Sequence, residues 1–251
     1  MSANLYARFC DRVSQPELTQ LFRCGHSARY RAGQPLMGEG EPGDYVVIIR
    51  SGQVKVLARD GRGNDHLLGV RGPGELLGEM ACIEDRARSA TVLAHGQVTG
   101  VKIAKGAFLD FVVRHPRTAL EVGRQAMIRL RAVERRQTQL VSRDVGTRLV
   151  RVLAEMAAIF ASGPDAREVE IPLSHDELAQ LAFVAKVSVQ RKLRLLRERR
   201  LVTTRYGKVV VPCLSCFLHS AMAVAEGGKS SNAIMGCAGS TDCRLTRAFS
   251  P

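Results

Sequence analysis

The chain has 251 residues, with 37 Lys and Arg against 24 Asp and Glu, a formal net charge of +13 and an isoelectric point near 10. It is long enough for two moderate domains with cores of their own, and its charge selects an anionic partner, nucleic acid or an acidic membrane face. No run of about 18 apolar residues offers a membrane span, and MSANLYARFCDRVSQ lacks the basic start and apolar core of a signal peptide, so the expectation is a cytoplasmic protein with no membrane partner.

In chain order, residues 1 to about 25 place Leu5, Phe9, Val13, Leu18, Leu21 and Phe22 at roughly helical spacing, with Ser14-Gln15-Pro16-Glu17 reading as a helix start. From Ala28 to about Lys102 short β-rich runs follow, Tyr45 to Ile49, Val54 to Leu57 and Val98 to Ile103 among them. Turns at Gly33, Gly40-Glu41-Pro42-Gly43, Arg50-Ser51-Gly52, Asp60-Gly61 and Gly72-Pro73-Gly74 separate them. Short strands with glycine-punctuated turns predict a β-sandwich or barrel.

Residues 73 to 92, PGELLGEMACIEDRARSATV, set a carboxylate at Glu79 and a guanidinium at Arg88 around a turn led by Gly78. Such a pair is able to grip one small polar anion, the carboxylate accepting from a hydroxyl and the fork-shaped guanidinium donating to a phosphate. A solvated surface pair is the alternative from spacing alone. The stretch resembles the phosphate-binding cassette of cyclic-nucleotide-binding domains: Gly78-Glu79, a short turn, then Arg88-Ser89-Ala90. The resemblance extends through GEGEPGDYVVIIRSGQVKV and RGPGELLGE, over about the first 115 residues. It implies an eight-stranded jelly roll in which Glu79 binds the ribose hydroxyl, while Arg88, Ser89 and backbone N–H groups around Gly78 bind the cyclic phosphate.

Residues 117 to 143 carry the longest helical pattern, with Ala126, Leu130, Val133, Gln137 and Leu140 in coiled-coil spacing. An amphipathic helix docked on its own domain is one reading. A parallel dimerisation helix is the other, and the family resemblance favours it. A second module begins near Asp144, at an expected hinge. Its first helix runs through Leu153, Met156, Ala157 and Phe160 to a stop at Ser162-Gly163-Pro164. Then Val169 to Leu173 is β-like, and Ser174-His175-Asp176-Glu177 reads as a capping box.

From Ser174 to Pro212 the sequence resembles the winged helix-turn-helix of the Crp–Fnr family, with two β-like runs joined at Tyr206-Gly207 as the wing. Residues 186 to 208 hold nine basic side chains and one acid, Glu198, the excess that phosphate neutralisation requires. By family position the second helix presents Lys186, Val187 and Arg191 to the major groove, with Ser188 and Gln190 beside them. Arg191 suits guanine O6 and N7, while Lys192, Arg199, Arg200 and Lys208 suit phosphates. Two departures stand out: Val187 replaces a Glu common in relatives, and Phe183 and Ala185 stand where the turn usually has Gly and Ser.

The fold expected is α+β: a cyclic-nucleotide-binding jelly roll over residues 1–116, a dimerisation helix over 117–143, a winged helix-turn-helix over 144–214, and a disordered tail over 215–251. The resemblance implies a non-enzymatic, homodimeric regulator of transcription that binds double-stranded DNA and has RNA polymerase as a further partner. Its effector would be a cyclic nucleotide, cyclic AMP or cyclic GMP. The residues that would meet the base on the dimer helix are Val133 and Glu134, and Glu134 is able to accept from guanine N1-H and N2-H as readily as from adenine N6-H. A coiled-coil ion-pair role is the other reading of Glu134. A regulator acting on a protein partner through a degenerate DNA module is the competing function, kept open by Phe183 and Ala185. Cys10 and Cys24 are too few for an iron–sulfur cluster, and Cys213 with Cys216 fits no zinc ribbon. The seven Cys are therefore expected as free thiols, with no metal.

Overall fold

A computed structural model describes residues 8–142, 145–161, 166, 168–215 and 217–218, with the backbone alone for 135–142. It divides into two compact units, the first ending at Thr138 and the second beginning at Gln139.

The first unit opens with α1 (Phe9–Arg12) and α2 (Gln15–Arg23). Ser14 caps α2 by accepting from Glu17 N, with Pro16 in the first turn, as the sequence requires. The strands are β1 (His26–Tyr30), β2 (Pro35–Met37), β3 (Tyr45–Arg59), β4 (Asp65–Arg71) and β5 (Leu76–Leu77). After α3 (Glu79–Glu84) comes β6 (Thr91–Ala104), then α4 (Lys105–Arg114) and α5 (Pro116–Ser142). All pair antiparallel in one sheet of order β1-β6-β3-β4, with β2 on β6 and β5 on β3.

The runs Tyr45 to Ile49 and Val54 to Leu57 are one strand, not two. The turn expected at Arg50-Ser51-Gly52 is a bulge inside it, where the pairing with β6 shifts register. Gly52 is what permits this: its φ is +80° and a Cβ there would lie 2.2 Å from the Gln97 carbonyl oxygen. Because side chains alternate along a strand, β3 serves two cores. Val46 and Ile48 join Phe9, Leu21, Phe108, Phe111 and Val122 of the helices. Val47 and Ile49 join Leu36, Met37, Leu77, Val92 and Val98 inside the barrel.

The second unit comprises α6 (Val145–Phe160), β7 (Val169–Ile171), α7 (His175–Ala182), α8 (Lys186–Glu198), β8 (Thr203–Arg205) and β9 (Lys208–Val211). The strands form an antiparallel sheet of order β7-β9-β8. The capping box at Ser174 and Glu177 is complete in both directions. The inward faces carry Leu153, Met156, Leu178, Leu181, Val189, Leu193 and Leu196, all buried. Packed side chains continue past the boundary drawn at 214: Phe217 is 1% exposed, held on a helical turn whose N–H donates to the Cys213 carbonyl. The hinge at Asp144, the helix stop at residues 162–164 and the tail beyond Leu218 lie outside the described residues. Among the described residues no helix is long and apolar enough to cross a membrane.

Candidate functional site

The cassette begins where β5 ends. Gly78 adopts the left-handed conformation, φ +83°, and N-caps α3; a Cβ there would lie 2.5 Å from Arg88 Nη1 and 2.9 Å from Met37 Cε. Glycine thus lets the backbone approach the guanidinium directly. Glu79 follows and is 1% exposed, and Arg88 is 4% exposed. The pair is therefore no solvated surface contact. Residue 88 is anchored by its backbone, its N–H donating to Glu41 O and its carbonyl accepting from Gly40 N. Its side chain donates through Nη1 to Gly78 O at 2.9 Å and through Nη2 to Tyr45 O at 2.6 Å, lies 4.8 Å from the Tyr45 ring centroid, and has Asp44 at 3.8 Å.

Arg129 of α5 completes the cluster and was not anticipated. Its Nη1 donates to Glu79 Oε1 at 2.5 Å and its Nη2 to the Leu76 carbonyl at 2.8 Å, with Glu75 at 3.8 Å. One turn earlier, Gln125 Nε2 donates to the same Leu76 carbonyl at 2.8 Å. Burial pulls the Arg129 pKa below the usual guanidinium value, and the Glu79 carboxylate opposes that shift. Three buried polar atoms of this cluster have no partner among the described residues: Glu79 Oε2, Arg88 Nε and Gln125 Oε1. Buried polar groups are otherwise nearly always paired. An orphaned acceptor on Glu79 and an orphaned donor on Arg88 fit a ligand that presents a hydroxyl to one and an anion to the other.

Gly78, Glu79 and Arg88 are brought together; Ser89 is exposed and Ala90 half-buried on the same loop. Val133 is 49% exposed and Glu134 is exposed, further along α5 beyond Arg129. Arg129 precedes Val133 by four residues, about one turn, on the same helix face.

The second candidate surface is α8 with the wing. Arg191, Gln190, Arg199 and Arg200 are exposed, Lys192 and Ser188 half-exposed. Among the described residues neither Arg191, Lys192, Arg199 nor Arg200 pairs with a carboxylate. Three other cations are partnered by acids on neighbouring elements. Lys186 Nζ lies 2.7 Å from Asp176 of α7, and Glu170 of β7 takes Arg205 at 2.8 Å and Lys208 at 2.6 Å. The Lys208 hydrogen bond, joined by Arg205, holds the Glu170 carboxyl below its ordinary range. The one-sided charge of the α8–wing sequence is thus partly offset in the fold. Phe183 occupies the turn between α7 and α8 in the left-handed conformation, φ +51°, and Ala185 gives α8 no side-chain cap. Tyr206 is fully exposed at the wing tip.

Residues 27–115 match the family model of the cyclic nucleotide-binding domain, and residues 147–214 that of the Crp-like helix-turn-helix domain. The chain belongs to the Crp–Fnr family of transcriptional regulators. Among Crp–Fnr relatives, it is 28% identical over 162 residues to the CRP-like cAMP-activated global transcriptional regulator of Mycobacterium tuberculosis, covering 64% of this chain and 72% of the relative. It is 25% identical over 203 residues to the cAMP-activated global transcriptional regulator CRP of Klebsiella aerogenes, covering 79% and 94%. Two solved structures share the fold. The c-di-GMP responsive regulator CLP of Xanthomonas campestris gives a TM-score of 0.64 at 24% identity over 79% of this chain and 99% of that one. FixK2 of Bradyrhizobium japonicum gives 0.66 at 17% over 77% and 96%. As a Crp–Fnr member with both domains, the chain is a ligand-responsive, DNA-binding regulator of transcription.

Proposed function

We propose that this regulator is a homodimer controlled by a cyclic nucleotide, with Glu79 accepting from the ribose hydroxyl and Arg88 and Ser89 holding the cyclic phosphate. The observation that carries this is the pair of orphaned atoms, Glu79 Oε2 and Arg88 Nε, buried in one cassette. A phosphate competes well for Arg88, because it meets the guanidinium charge with charge and accepts from two of its N–H groups at once, whereas the Gly78 and Tyr45 carbonyls are neutral acceptors. Val133 and Glu134 meet the base, and the Glu134 carboxylate suits the N1-H and N2-H donors of guanine. The relatives' names include both a cAMP-activated and a c-di-GMP responsive regulator, so the family does not fix the base.

Leu120, Met127, Leu130 and Val133 leave apolar side chains exposed along α5, the surface expected to close against a second copy. The dimer places two recognition helices on half-sites about 34 Å apart. Arg191 reads guanine, while Lys192, Arg199, Arg200 and Lys208 hold phosphates, and RNA polymerase is the downstream partner in the cytoplasm. Ligand acts by binding one arrangement of the dimer more tightly than another. Calorimetry with cyclic AMP and cyclic GMP, joined to selection of random DNA with and without each, is the test. Heat from neither nucleotide would overturn the effector assignment, and no heat with cyclic GMP alone would remove the role given to Glu134. Arg191→Ala is expected to abolish binding to the selected site while the dimer persists by light scattering; unchanged affinity refutes the assignment of Arg191.

A further inference from the structure

The two carboxylate oxygens of Glu79 are in unlike situations. Oε1 accepts from Arg129 Nη1 at 2.5 Å, while Oε2 is buried and has no partner among the described residues. A guanidinium beside a carboxylate commonly closes on both oxygens with two parallel N–H groups, and here it does not. Either fork open to an arginine, end-on through Nη1 and Nη2 or side-on through Nε and Nη2, requires Nη2. In this chain Nη2 is drawn elsewhere: it donates to the Leu76 carbonyl at 2.8 Å and lies 3.8 Å from Glu75 Oε2.

The Leu76 carbonyl is neutral and already accepts from Gln125 Nε2 at 2.8 Å, so the charge that competes with Glu79 for this guanidinium is that of Glu75. Glu75 is fixed for the competition. Its Oε1 accepts from Gly72 N at 3.4 Å across the turn between β4 and β5, and its Oε2 faces Arg71 Nε at 3.3 Å. Its side chain is 20% exposed, which leaves its charge only partly screened by water. We infer that Glu75 is a positioning residue for ligand binding: by drawing Arg129 Nη2 away from Glu79, it keeps that ion pair single-pointed and leaves Glu79 Oε2 open to the ribose hydroxyl. Without the Glu75 charge the guanidinium closes on both oxygens, and the acceptor a ligand needs is filled by the chain itself. This rests on the cyclic-nucleotide reading of the cassette.

A 3′,5′-cyclic nucleotide has one free ribose hydroxyl, at the 2′ position, so its 2′-deoxy analogue reports on the Glu79 acceptor. The test is calorimetry of the full chain with cyclic AMP and cyclic GMP, each beside its 2′-deoxy analogue. The wild-type chain should prefer the hydroxylated nucleotide by about tenfold or more, the value of one hydrogen bond to a charged group. Glu75→Gln, an isosteric change that removes the charge, should cut that preference to about twofold, with affinity for the 2′-deoxy analogue unchanged. Glu75→Asp keeps the charge and should retain more of the preference. A purely structural role would weaken both members of a nucleotide pair alike. That result, an undiminished preference in Glu75→Gln, or an equal loss in Glu75→Asp overturns the inference while the effector assignment stands. Heat from neither nucleotide with the wild-type chain would overturn the effector assignment, and wild-type indifference to the 2′ hydroxyl would overturn the role of Glu79, each removing this inference with it.

Discussion

Arg129→Ala isolates the contact between α5 and the cassette. The Glu79 side chain is 2% exposed and that of Arg129 23%, so the variant strands a carboxylate with Oε2 already unpartnered. Removing one member of a buried ion pair costs about 3–5 kcal/mol, and the partial exposure of Arg129 argues for about 3 kcal/mol. The first unit ends at Thr138. With an unfolding entropy of about 2.1 cal/mol/K per residue, its Tm should fall by about 10 °C. Differential scanning calorimetry of the ligand-free protein measures this. The second arm is the cycle: Glu79→Gln in the Arg129→Ala background removes the stranded charge and should restore more than half of the loss. A Tm within about 1 °C of wild type, or no restoration by Glu79→Gln, would refute the view that Arg129 neutralises Glu79.

Phe183→Gly should stabilise the second unit by about 1 kcal/mol, because glycine adopts φ +51° without the cost a side chain incurs there. Phe183→Val should destabilise it, and a melt ordering Gly below Phe would show that contacts of the ring outweigh backbone strain. Glu170→Gln removes the carboxylate that holds Lys208 and one of the two that hold Arg205, which keeps Glu168 at 3.4 Å. Non-specific DNA binding should tighten, and the slope of log K against log salt should steepen by about 0.9 for each phosphate gained; an unchanged slope would place those cations away from DNA. The Glu170 carboxyl is held below its ordinary range, so the ion pairs are present above that range and are lost only as pH falls through the depressed value. The mutational effect should therefore be constant across the neutral range, as a titration of binding against pH would reveal.

The cassette was legible because its chemistry is local: Gly78, Glu79 and Arg88 sit within one turn-rich stretch, and the turn supplies their geometry. Arg129 was not, since nothing in a helical pattern says which face of α5 meets the Leu76 carbonyl. The same limit hid the acids that temper the wing. Glu170 is 38 residues from Lys208 and reaches it only through the pairing of β7 with β9. Local rules also misread Gly52 as a turn, since a bulge and a turn ask for the same positive φ. By contrast, the capping box at Ser174 and the inward face of α8 followed from spacing alone. The left-handed Phe183 appeared where the sequence lacked its glycine.

The alternation along β3 has a cost for adaptation. Val47 and Ile49 bound the barrel core beside the cassette, while Val46 and Ile48, their immediate neighbours, seat the N-terminal and α4 helices. The wall between those compartments is one polypeptide thick. Lineages drifting toward a bulkier effector would find this strand closed to enlargement, since a shift made for one side is transmitted through the peptide bond to the other. The Val133 and Glu134 proposed to meet the base stand outside both compartments, exposed on α5.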